Sequence, residues 1–396
     1  MSKKLFVRTK MQIEWLERLL TLEGIFKSHS REVDEQSKFP RENIQALVDI
    51  GYTKLTLPKE YGGGGISVTD MILLQETIAS FDSATGLAIG WHQGVVGELY
   101  EKELWETDML DTFAEEIVNG ALVNRAASEF QTGSPTRGGR PGTCAIKKDG
   151  KWVISGIKSY TTMSPILTHI LVTAWVEEQG VIGTFLINKE TSGVSVRENW
   201  EVMSMRGTGS HDLVLENVEV SEDGLVEFNN GPRSNNLNGW ILHIPACYLG
   251  IAQAARDYAV TFATQHSPNS LKGSISQLPN VQTLIGQMDL ELMKARHFLY
   301  SVAQAYDDES RRKLLTNELS VAKYITTNSA ISIVDKAMRL VGAKSLQLSN
   351  PLQRYYRDVR AGLHNPPMDD MTIFKLAGTA IEEIEKGNKS SSLLLS

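Results

Sequence analysis

The order of three sequence textures along the chain constrains its fold more than any single motif. Apolar residues recur with a helical period in residues 1–123, and short alternating runs separated by turn residues fill residues 124–231. The helical period then returns in residues 232–396. Most cofactor enzymes of this size alternate β and α elements, so this order is informative. The sequence therefore predicts an α+β chain with an N-terminal helical region, a β region and a C-terminal helical region.

Local patterns indicate what each region contains. LPKEYGGGG at 57–65 predicts a loop with unusual backbone angles or with a close approach of backbone to a neighbour. CAIKKDGKWVISG predicts a β-hairpin that turns at Asp149-Gly150, and the short runs after it predict a small antiparallel barrel or sandwich. One apolar face in the last region predicts a bundle helix. Its residues are Val281, Leu284, Ile285, Met288, Leu292, Ala295, Leu299, Val302 and Tyr306.

Composition argues against several classes of protein. The 396 residues include 40 basic and 47 acidic side chains, and this net charge of −7 argues against a nucleic-acid binder or a polybasic membrane-surface protein. No window approaches the ~20 apolar residues of a membrane span, and the first twenty residues lack the apolar segment of a signal peptide. Cys144 and Cys247 lie far apart, which predicts neither a disulfide framework nor a metal site. We expect a soluble, cytoplasmic protein.

The familiar nucleotide-binding loops do not occur in this sequence. No GxGxxG follows a strand, and no GxxxxGK[ST] is present. The Gly-rich stretch GGRPGT at 138–143 precedes a strand, so it lacks the helix N-terminus that would hold a phosphate. Residue patterns alone therefore lead to an α-β-α protein with a cleft between its regions.

Several stretches, all in register, resemble the acyl-CoA dehydrogenase superfamily. They are LTLPKEYGGGG at 55–65, Ala127-Ser128-Glu129 with Thr132-Gly133-Ser134, GKWVISGIKSYTTMSP at 150–165, MRGTGSHDLVLENVEV at 205–220, LGIAQAARDYA at 249–259, RLVGAK at 339–344 and PLQRYYRDVR at 351–360. The resemblance covers nearly the whole chain. It implies an N-terminal helical domain, a middle β-barrel-like domain and a C-terminal four-helix bundle. It also implies a flavin between the last two domains and assembly into a tetramer or dimer.

The resemblance implies which residues meet the flavin ring. Tyr160 replaces the more usual Trp and offers a similar flat surface, while Thr161 and Thr162 offer donors to the polar edge of the ring. Ser128 is expected to hydrogen-bond the same edge. Lys158 is expected to remain solvated or to support the site from behind, without binding a ligand. The residues implied at this edge are Ser128, Gly133, Ser134, Tyr160, Thr161 and Thr162.

The diphosphate side of the implied flavin site departs from the family pattern. The usual Gln-x-x-Gly-Gly-x-Gly is RLVGAKS at 339–345, so Arg339 and Lys344 would supply positive charge around Gly342. FAD is the expected cofactor on this resemblance, and the departure leaves FMN, or FAD held differently, as an alternative.

The carboxylate that acts as catalytic base in the family is missing from both of its usual positions. In the family a Glu after the Arg-Asp pair removes the proton α to the thioester while hydride leaves the β carbon for the flavin. The matching residue here is Pro366, and the alternative position on the first bundle helix is Trp240. Asp369 or Asp370 could replace it, although both also suit the N-terminus of the next helix. His364 resembles the His of two-component flavin monooxygenases.

Five further residues are predicted to line the substrate. Trp91 lies in the stretch that lines the acyl pocket of the family, where bulky groups would shorten the pocket. A Gly-Thr-Gly-Ser loop can direct backbone donors towards a ligand, and a simple hairpin loop fits the same residues. The predicted residues are Trp91, Arg206, Ser210, Trp240 and His243.

The expected activity follows from the resemblance. The leading prediction is an oxidoreductase acting on the CH–CH group of an acyl-CoA-like substrate, with an electron-transfer flavoprotein as acceptor. The alternative is a flavin monooxygenase that receives reduced flavin from a partner reductase. A protein that binds flavin or an acyl ligand without turnover is the third possibility.

Overall fold

The computed structural model describes residues 2–134, 139–229 and 237–393. Five α-helices form the first region: α1 (Lys10–Gln36), α2 (Arg41–Asp49), α3 (Val68–Phe81), α4 (Ser83–Glu101) and α5 (Thr107–Val118). Capping boxes start two of them, because Thr9 and Ser67 each accept a hydrogen bond from the third helical residue, whose side chain bonds back. The first region is helical, as predicted.

Eight strands form one mixed sheet in the second region. They are β1 (Val123–Ala126), β2 (Cys144–Lys148), β3 (Lys151–Thr161), β4 (His169–Val176), β5 (Val181–Asn188), β6 (Val194–Arg197), β7 (His211–Val220) and β8 (Leu225–Asn229). The strand order is β6-β7-β3-β2-β4-β5-β8, with β1 also paired to β4. Both β1 and β2 run parallel to β4, and the other pairings are antiparallel.

The predicted hairpin and glycine-rich loop are both confirmed. β2 pairs with β3 across Asp149 and Gly150, whose φ angles of 50° and 78° suit a tight two-residue turn. In the glycine row, Gly62 has a φ of 83°. A Cβ at Gly63 would lie 2.1 Å from the carbonyl oxygen of Leu57, so only glycine fits there.

The third region is helical and contains the long helices of the bundle. Its helices are α6 (His243–Gln265), α7 (Pro279–Asp307), α8 (Glu309–Arg312), α9 (Glu318–Val341), α10 (Pro351–Asp358) and α11 (Asp369–Leu393). Short 3-10 turns cover Ser2–Phe6, Tyr52–Lys54, Lys59–Tyr61, Arg206–Thr208, Glu222–Gly224, Gly239–Leu242, Ile275–Gln277, Gly342–Leu346 and Val359–Leu363. The predicted boundary between the second and third regions, at 231/232, lies outside the described residues.

Buried polar contacts join the regions into one core. The Asp307 carboxylate at the end of α7 accepts hydrogen bonds from the first backbone N–H groups of α3, those of Val68 and Thr69, both at 2.9 Å. Glu76 on α3 and Arg296 on α7 form a fully buried ion pair of 2.6 Å. Because these contacts span more than 200 residues, the N-terminal helices and the bundle depend on each other. None of the described helices is both long and apolar enough to cross a membrane.

Candidate active site

Strand β3 bulges at Tyr160 and turns its ring towards solvent. The register of β3 against β7 shifts between Lys158 and Thr161, and Tyr160 has a φ of 61°. The Tyr160 side chain is 57% exposed, and its ring meets the Trp200 ring edge-on with centroids 6.1 Å apart. A positive φ is uncommon in a residue other than glycine, and residues in strained conformations cluster at active sites as well as at turns. The bulge therefore presents a flat aromatic surface at the end of the strand.

A chain of hydroxyl groups begins at Thr162, two residues after Tyr160. Thr162 Oγ1 is 2.9 Å from Ser210 Oγ, which is 2.8 Å from Thr208 Oγ1. Thr208 in turn donates to the carbonyl oxygen of Met205 at 2.9 Å. Because a carbonyl can only accept, the protons of this chain run from Thr162 towards Met205 and leave lone pairs of the Thr162 hydroxyl for another donor. Thr161 Oγ1 is buried and has no hydrogen-bond partner within the described ranges.

A buried ion pair fixes the segment that precedes β2. Glu129 Oε1 lies 2.7 Å from Lys158 Nζ on β3, and both side chains are almost fully buried. The Glu129 carboxylate also accepts hydrogen bonds from the backbone N–H groups of Gly142 and Thr143 and from the hydroxyls of Thr132 and Thr143. Burial alone would raise the pKa of Glu129, but Lys158 and these donors lower it to about 2. Of the two expectations for Lys158, solvation is excluded by its burial, and support of the site from behind stays a prediction.

This ion pair holds the remaining residues implied at the ring edge. Ser159 N–H donates to the Ser128 carbonyl at 2.9 Å, which ties the segment to β3. Glu129 and Gly133 exchange two backbone hydrogen bonds, and Gly133 has a φ of 76°. Ser134 follows this small loop and is half-buried. We call Ser128, Tyr160, Thr161, Thr162 and Ser210 the ring-edge cluster.

The residues implied on the diphosphate side lie at the surface near the end of α9. Arg339 is exposed and pairs with Asp335 one turn earlier, at 2.7 Å. Gly342 has a φ of 71°, and none of the described atoms lies within 4 Å of the place where its Cβ would be. Lys344 Nζ lies 5.6 Å from the centroid of the Phe262 ring. We call Arg339, Gly342 and Lys344 the diphosphate-side residues.

The three candidate catalytic residues lie after α10, with His364 in a short loop and Asp369 and Asp370 at the start of α11. His364 is exposed, and the next residue, Asn365, accepts a hydrogen bond from the Tyr248 hydroxyl. Asp369 is the first residue of α11, where it pairs with Lys323 at 3.1 Å and accepts from Asn328 at 2.8 Å. Asp370 is exposed at the same helix end. Of the three, Asp369 is therefore already neutralised by a cation.

Two large side chains fill the space between α4 and the start of α6. A Cβ at Gly97 would lie 2.3 Å from the indole ring of Trp240, so the ring occupies the place of a side chain on α4. His243 packs on Gly90 in the same way and meets the Trp91 ring edge-on at 4.8 Å. Burial lowers the pKa of His243 to about 3, so its imidazole is neutral.

Trp240 is tied to a carboxylate at the end of α4. Its indole N–H donates to Glu101 at 3.0 Å, and Glu101 also pairs with Arg312 at 2.9 Å. Arg206 points in a different direction, because its guanidinium donates to the backbone carbonyl of Asp34 on α1 at 2.6 Å. The five predicted substrate residues thus lie in three places. Ser210 is at the ring edge, Arg206 contacts α1, and Trp91, Trp240 and His243 lie between the helices.

Comparison with known proteins identifies the family. Profiles of the acyl-CoA dehydrogenase N-terminal, middle and C-terminal domains match residues 21–102, 124–218 and 235–363. The chain belongs to the acyl-CoA dehydrogenase family. The predicted resemblance and the predicted fold are confirmed.

Proteins similar to this member of the acyl-CoA dehydrogenase family carry names that indicate different reactions. The chain is 58% identical over 378 residues to "Putative acyl-CoA dehydrogenase YdbM" of Bacillus subtilis (strain 168), covering 96% of this chain and 99% of that protein. It is 27% identical over 364 residues to L-evernosamine nitrososynthase of Micromonospora sp., covering 83% and 80%. The structure of KijD3 with FMN and a dTDP-amino-keto sugar shares the fold, with a TM-score of 0.83, 24% identity and 94% of each chain covered.

The cofactor of this acyl-CoA dehydrogenase family is a flavin, and the ring-edge cluster fits one. A flavin ring is flat and has polar groups along one edge. The exposed face of Tyr160 and the hydroxyls of Thr161 and Thr162 provide matching chemistry. The Thr161 hydroxyl lacks a hydrogen-bond partner among the described residues, as the Thr184 hydroxyl in β5 also does, so the fit rests on the exposed Tyr160 ring and the Thr162 hydroxyl.

Both usual positions of the catalytic Glu of the acyl-CoA dehydrogenase family hold residues that cannot accept a proton from carbon. Pro366 has no ionisable group, and Trp240 donates its indole N–H to Glu101. The other side chains of the loop therefore become the candidates for proton transfer.

Sequence reasoning missed two residues that organise the site. Glu129 lies within a quoted stretch, but nothing local indicates that it pairs with a lysine 29 residues away. Asp358 lies within the quoted Arg-Asp pair, and its carboxylate accepts the backbone N–H of Met205 at 2.7 Å. The Arg-Asp pair was the only available signal for Asp358.

Proposed function

We propose that this protein is a flavin-dependent oxidoreductase that acts on the CH–CH group of an acyl-CoA-like substrate. The carrying observation is the ring-edge cluster, in which an exposed aromatic ring and a directed hydroxyl chain adjoin a buried ion pair. The name of the 58% identical relative supports the same reaction class. A bound flavin would supply the hydride acceptor that such a reaction needs.

The ring-edge cluster would bind the flavin ring. Tyr160 would pack on the flat face, and the Thr161 hydroxyl would gain the partner that it lacks. The lone pairs of Thr162 suit a ring N–H, and Ser128 with the Gly133–Ser134 turn completes the edge. Arg339 and Lys344, with the open backbone of Gly342, would meet the diphosphate of FAD; FMN would use less of this side.

His364 would be the base that accepts the proton removed from the substrate. It is exposed, an imidazole can both accept and donate a proton, and Asn365 beside it is anchored by Tyr248. Asp369 is the weaker candidate because its pairing with Lys323 would have to break first. Asp370 is free of that pair but points from the helix end into solvent. Loss of turnover in His364→Ala with flavin still bound would support the assignment, and full activity would remove it.

Trp91, Trp240 and His243 would limit the size of the acyl group. Trp240 and His243 fill the space between α4 and α6. They pack so closely on glycines of α4 that a Cβ on either glycine would clash. A compact acyl group would therefore bind better than a long one. Arg206 would contribute by holding the loop before β7, and Ser210 through the hydroxyl chain.

A second candidate function is flavin-dependent monooxygenation. The observation in its favour is the lack of a carboxylate at both family positions, together with similarity to a protein named a nitrososynthase. In this reading a partner reductase supplies reduced flavin, and His364 donates or accepts a proton near the reacting oxygen.

One experiment separates these functions. The purified protein is examined for bound flavin and then mixed anaerobically with a panel of acyl-CoAs. Loss of the visible flavin absorbance with one of them supports the dehydrogenase. A colourless protein that ignores every acyl-CoA and consumes oxygen only with supplied reduced flavin supports the monooxygenase. A protein that binds flavin but does neither contradicts both.

Two kinds of partner go with the proposal. The dehydrogenase would pass electrons to an electron-transfer flavoprotein, and the monooxygenase would depend on a flavin reductase. A further copy of the chain would cover the exposed apolar face of α11, where Met371, Phe374 and Ile381 share one side of the helix. A tetramer or dimer is expected by light scattering, and Phe374→Glu should weaken it.

A further inference from the structure

The loop before β7 carries one end of the hydroxyl chain and is held in an uncommon conformation. We call residues 203–210 the seam loop. Met205 has a φ of 53° and Gly209 a φ of 55°, both in the left-handed region. For a methionine this conformation costs free energy and persists only when neighbours hold it. Contacts from outside the loop must therefore fix its shape.

Asp358, the last residue of α10, supplies two of these contacts and a third bond to the N-terminal region. Its carboxylate accepts the Met205 N–H at 2.7 Å and the hydroxyl of Ser83 at the start of α4. Its backbone carbonyl accepts the Ser204 hydroxyl at 3.2 Å. Asp358 is only 2% exposed, so these bonds form away from water. Asp358 thus bonds to two consecutive residues of the seam loop, Ser204 and Met205, and also to Ser83 in the N-terminal region.

Arg357 adds a second set of contacts next to those of Asp358. Its guanidinium pairs with both carboxylate oxygens of Asp34 on α1 and donates to the Met203 carbonyl at 2.8 Å. Arg206 in the seam loop donates to the Asp34 carbonyl at 2.6 Å. A Cβ on Gly207 would lie 2.3 Å from Val33, so the loop also packs tightly on α1. Helices α1, α4 and α10 therefore converge on the seam loop.

The same two residues lead directly into the candidate catalytic loop. Asp358 ends α10, the 3-10 turn Val359–Leu363 follows, and His364 comes next. The seam loop, on the other side of the contact, ends in Ser210 of the ring-edge cluster. A shift at Asp358 would therefore change the spacing between the flavin edge and His364.

We propose that Arg357 and Asp358 are positioning residues that hold the seam loop and the His364 loop at one fixed spacing. This inference rests on the proposed flavin site. Neither residue touches the ring-edge cluster directly. Both act through the seam loop, by way of the backbone groups of Met203 and Met205 and the hydroxyl of Ser204.

The test measures flavin binding by the apoprotein. Asp358→Ala removes the acceptor of Met205 N–H, and we expect at least tenfold weaker flavin binding with a changed absorption envelope of the bound flavin. Asp358→Asn keeps one oxygen for that N–H and should restore much of the affinity. Arg357→Lys loses the two-pronged contact with Asp34 and should lie between them.

The matched control is Glu76→Gln, which perturbs another buried carboxylate in a helical contact far along the chain. It should lower thermal stability without changing the flavin affinity or spectrum. If Glu76→Gln changes flavin binding as much as Asp358→Ala at equal loss of stability, the role is merely structural and the inference fails. Should Asp358→Ala not fold, Asp358→Asn and Arg357→Lys decide, and wild-type affinity and spectrum in both overturn the inference. Failure of the wild-type protein to bind flavin would overturn the proposed function instead.

Discussion

The same family resemblance predicted both the ring-edge cluster and the diphosphate-side residues. The two sets differ in their burial and in how many neighbouring residues hold them. Around the ring edge, Glu129 and Lys158 are buried, and Thr162, Ser210 and Thr208 are bonded in sequence. At the diphosphate side, Arg339 is exposed, and the ion pair that it makes within the described part of the chain is with Asp335 on its own helix. The ring-edge half of the proposed site is therefore preformed, and the diphosphate half is exposed to solvent.

This difference bears on which part of a flavin the chain itself recognises. Preformed groups lose little freedom on binding, so the ring edge should supply most of the affinity of a single chain. Exposed side chains lose rotamer freedom and remain screened by water, so the diphosphate side should supply little until something covers it. Substitutions at four places test whether the ring edge and the diphosphate side differ in this way, and we expect the most disruptive at Lys158.

Lys158→Met should destabilise the protein most. The substitution leaves the Glu129 carboxylate buried without its cation, which costs about 3–5 kcal/mol in proteins. The free energy of urea unfolding of the apoprotein measures it. The double variant Lys158→Met with Glu129→Gln should recover much of the loss, because no unpaired charge remains. Equal stability of Lys158→Met and the surface variant Arg339→Ala would show that the ring edge is not held by this pair.

Asp358 should give the unfolding free energy a distinct pH dependence. Burial raises its pKa from 3.8 to about 6, although the Ser83 hydroxyl, the Arg354 charge and the Met205 N–H oppose the shift. It borders a small cavity lined also by Asp34, Asp82, Arg206 and Arg354. Because the folded protein holds this proton more tightly than the unfolded chain, the stabilisation is full below pH 3.8 and is lost as pH rises through about 6.

The measurable consequence is a change in the difference between two proteins. From pH 4 to pH 7 the unfolding free energy of the wild type should fall relative to Asp358→Asn by about 2 kcal/mol, which is most of the roughly 3 kcal/mol that corresponds to the whole pKa difference. Asp335→Asn removes a surface carboxylate and controls for net charge. A constant difference between wild type and Asp358→Asn across this range would contradict the shift.

Local sequence patterns predicted the elements, and long-range contacts decided the site. The helical periods, the Asp149-Gly150 turn and the glycine row are properties of neighbouring residues, so they were readable. The bond between Asp358 and Met205 joins residues 153 positions apart, and nothing local distinguishes that aspartate from a solvated one. The parallel pairing of β1 and β2 with β4 was unexpected for the same reason, since strand partners are chosen by the whole sheet.

The family resemblance predicted more of the site residues than the residue patterns did, but it could not predict how those residues pack. It pointed to Tyr160, which the structure shows exposed at a bulge. It could not show that Trp240 and His243 fill the space beside α4, because that depends on Gly97 and Gly90 one helix away. A substituted residue in a known motif thus needs its packing partners before its role can be argued.

Thr162→Val should weaken flavin binding about fivefold, the equivalent of about 1 kcal/mol for one lost hydrogen bond. Valine keeps the shape of threonine but cannot accept from a flavin N–H or donate to Ser210. Thr184→Val is the matched control, because Thr184 is buried in β5 and its hydroxyl has no partner among the described residues. Titration of the apoproteins with flavin measures both. Unchanged affinity in Thr162→Val would mean that the hydroxyl chain does not face the flavin.

Arg339→Ala and Lys344→Ala should have the smallest effect, and only on FAD. Both residues are exposed, so each should weaken FAD binding about threefold at low salt and less at high salt, where the charge is screened. FMN lacks the second phosphate and the adenosine, so its affinity should not change. Arg31→Ala is the matched control, since Arg31 makes the same kind of exposed ion pair one turn along α1, with Glu35. A loss for FMN as large as for FAD would place these cations nearer the ring. A loss of a hundredfold would mean that the open half of the site is closed in solution, and the contrast between the two halves would then be a property of the isolated chain alone.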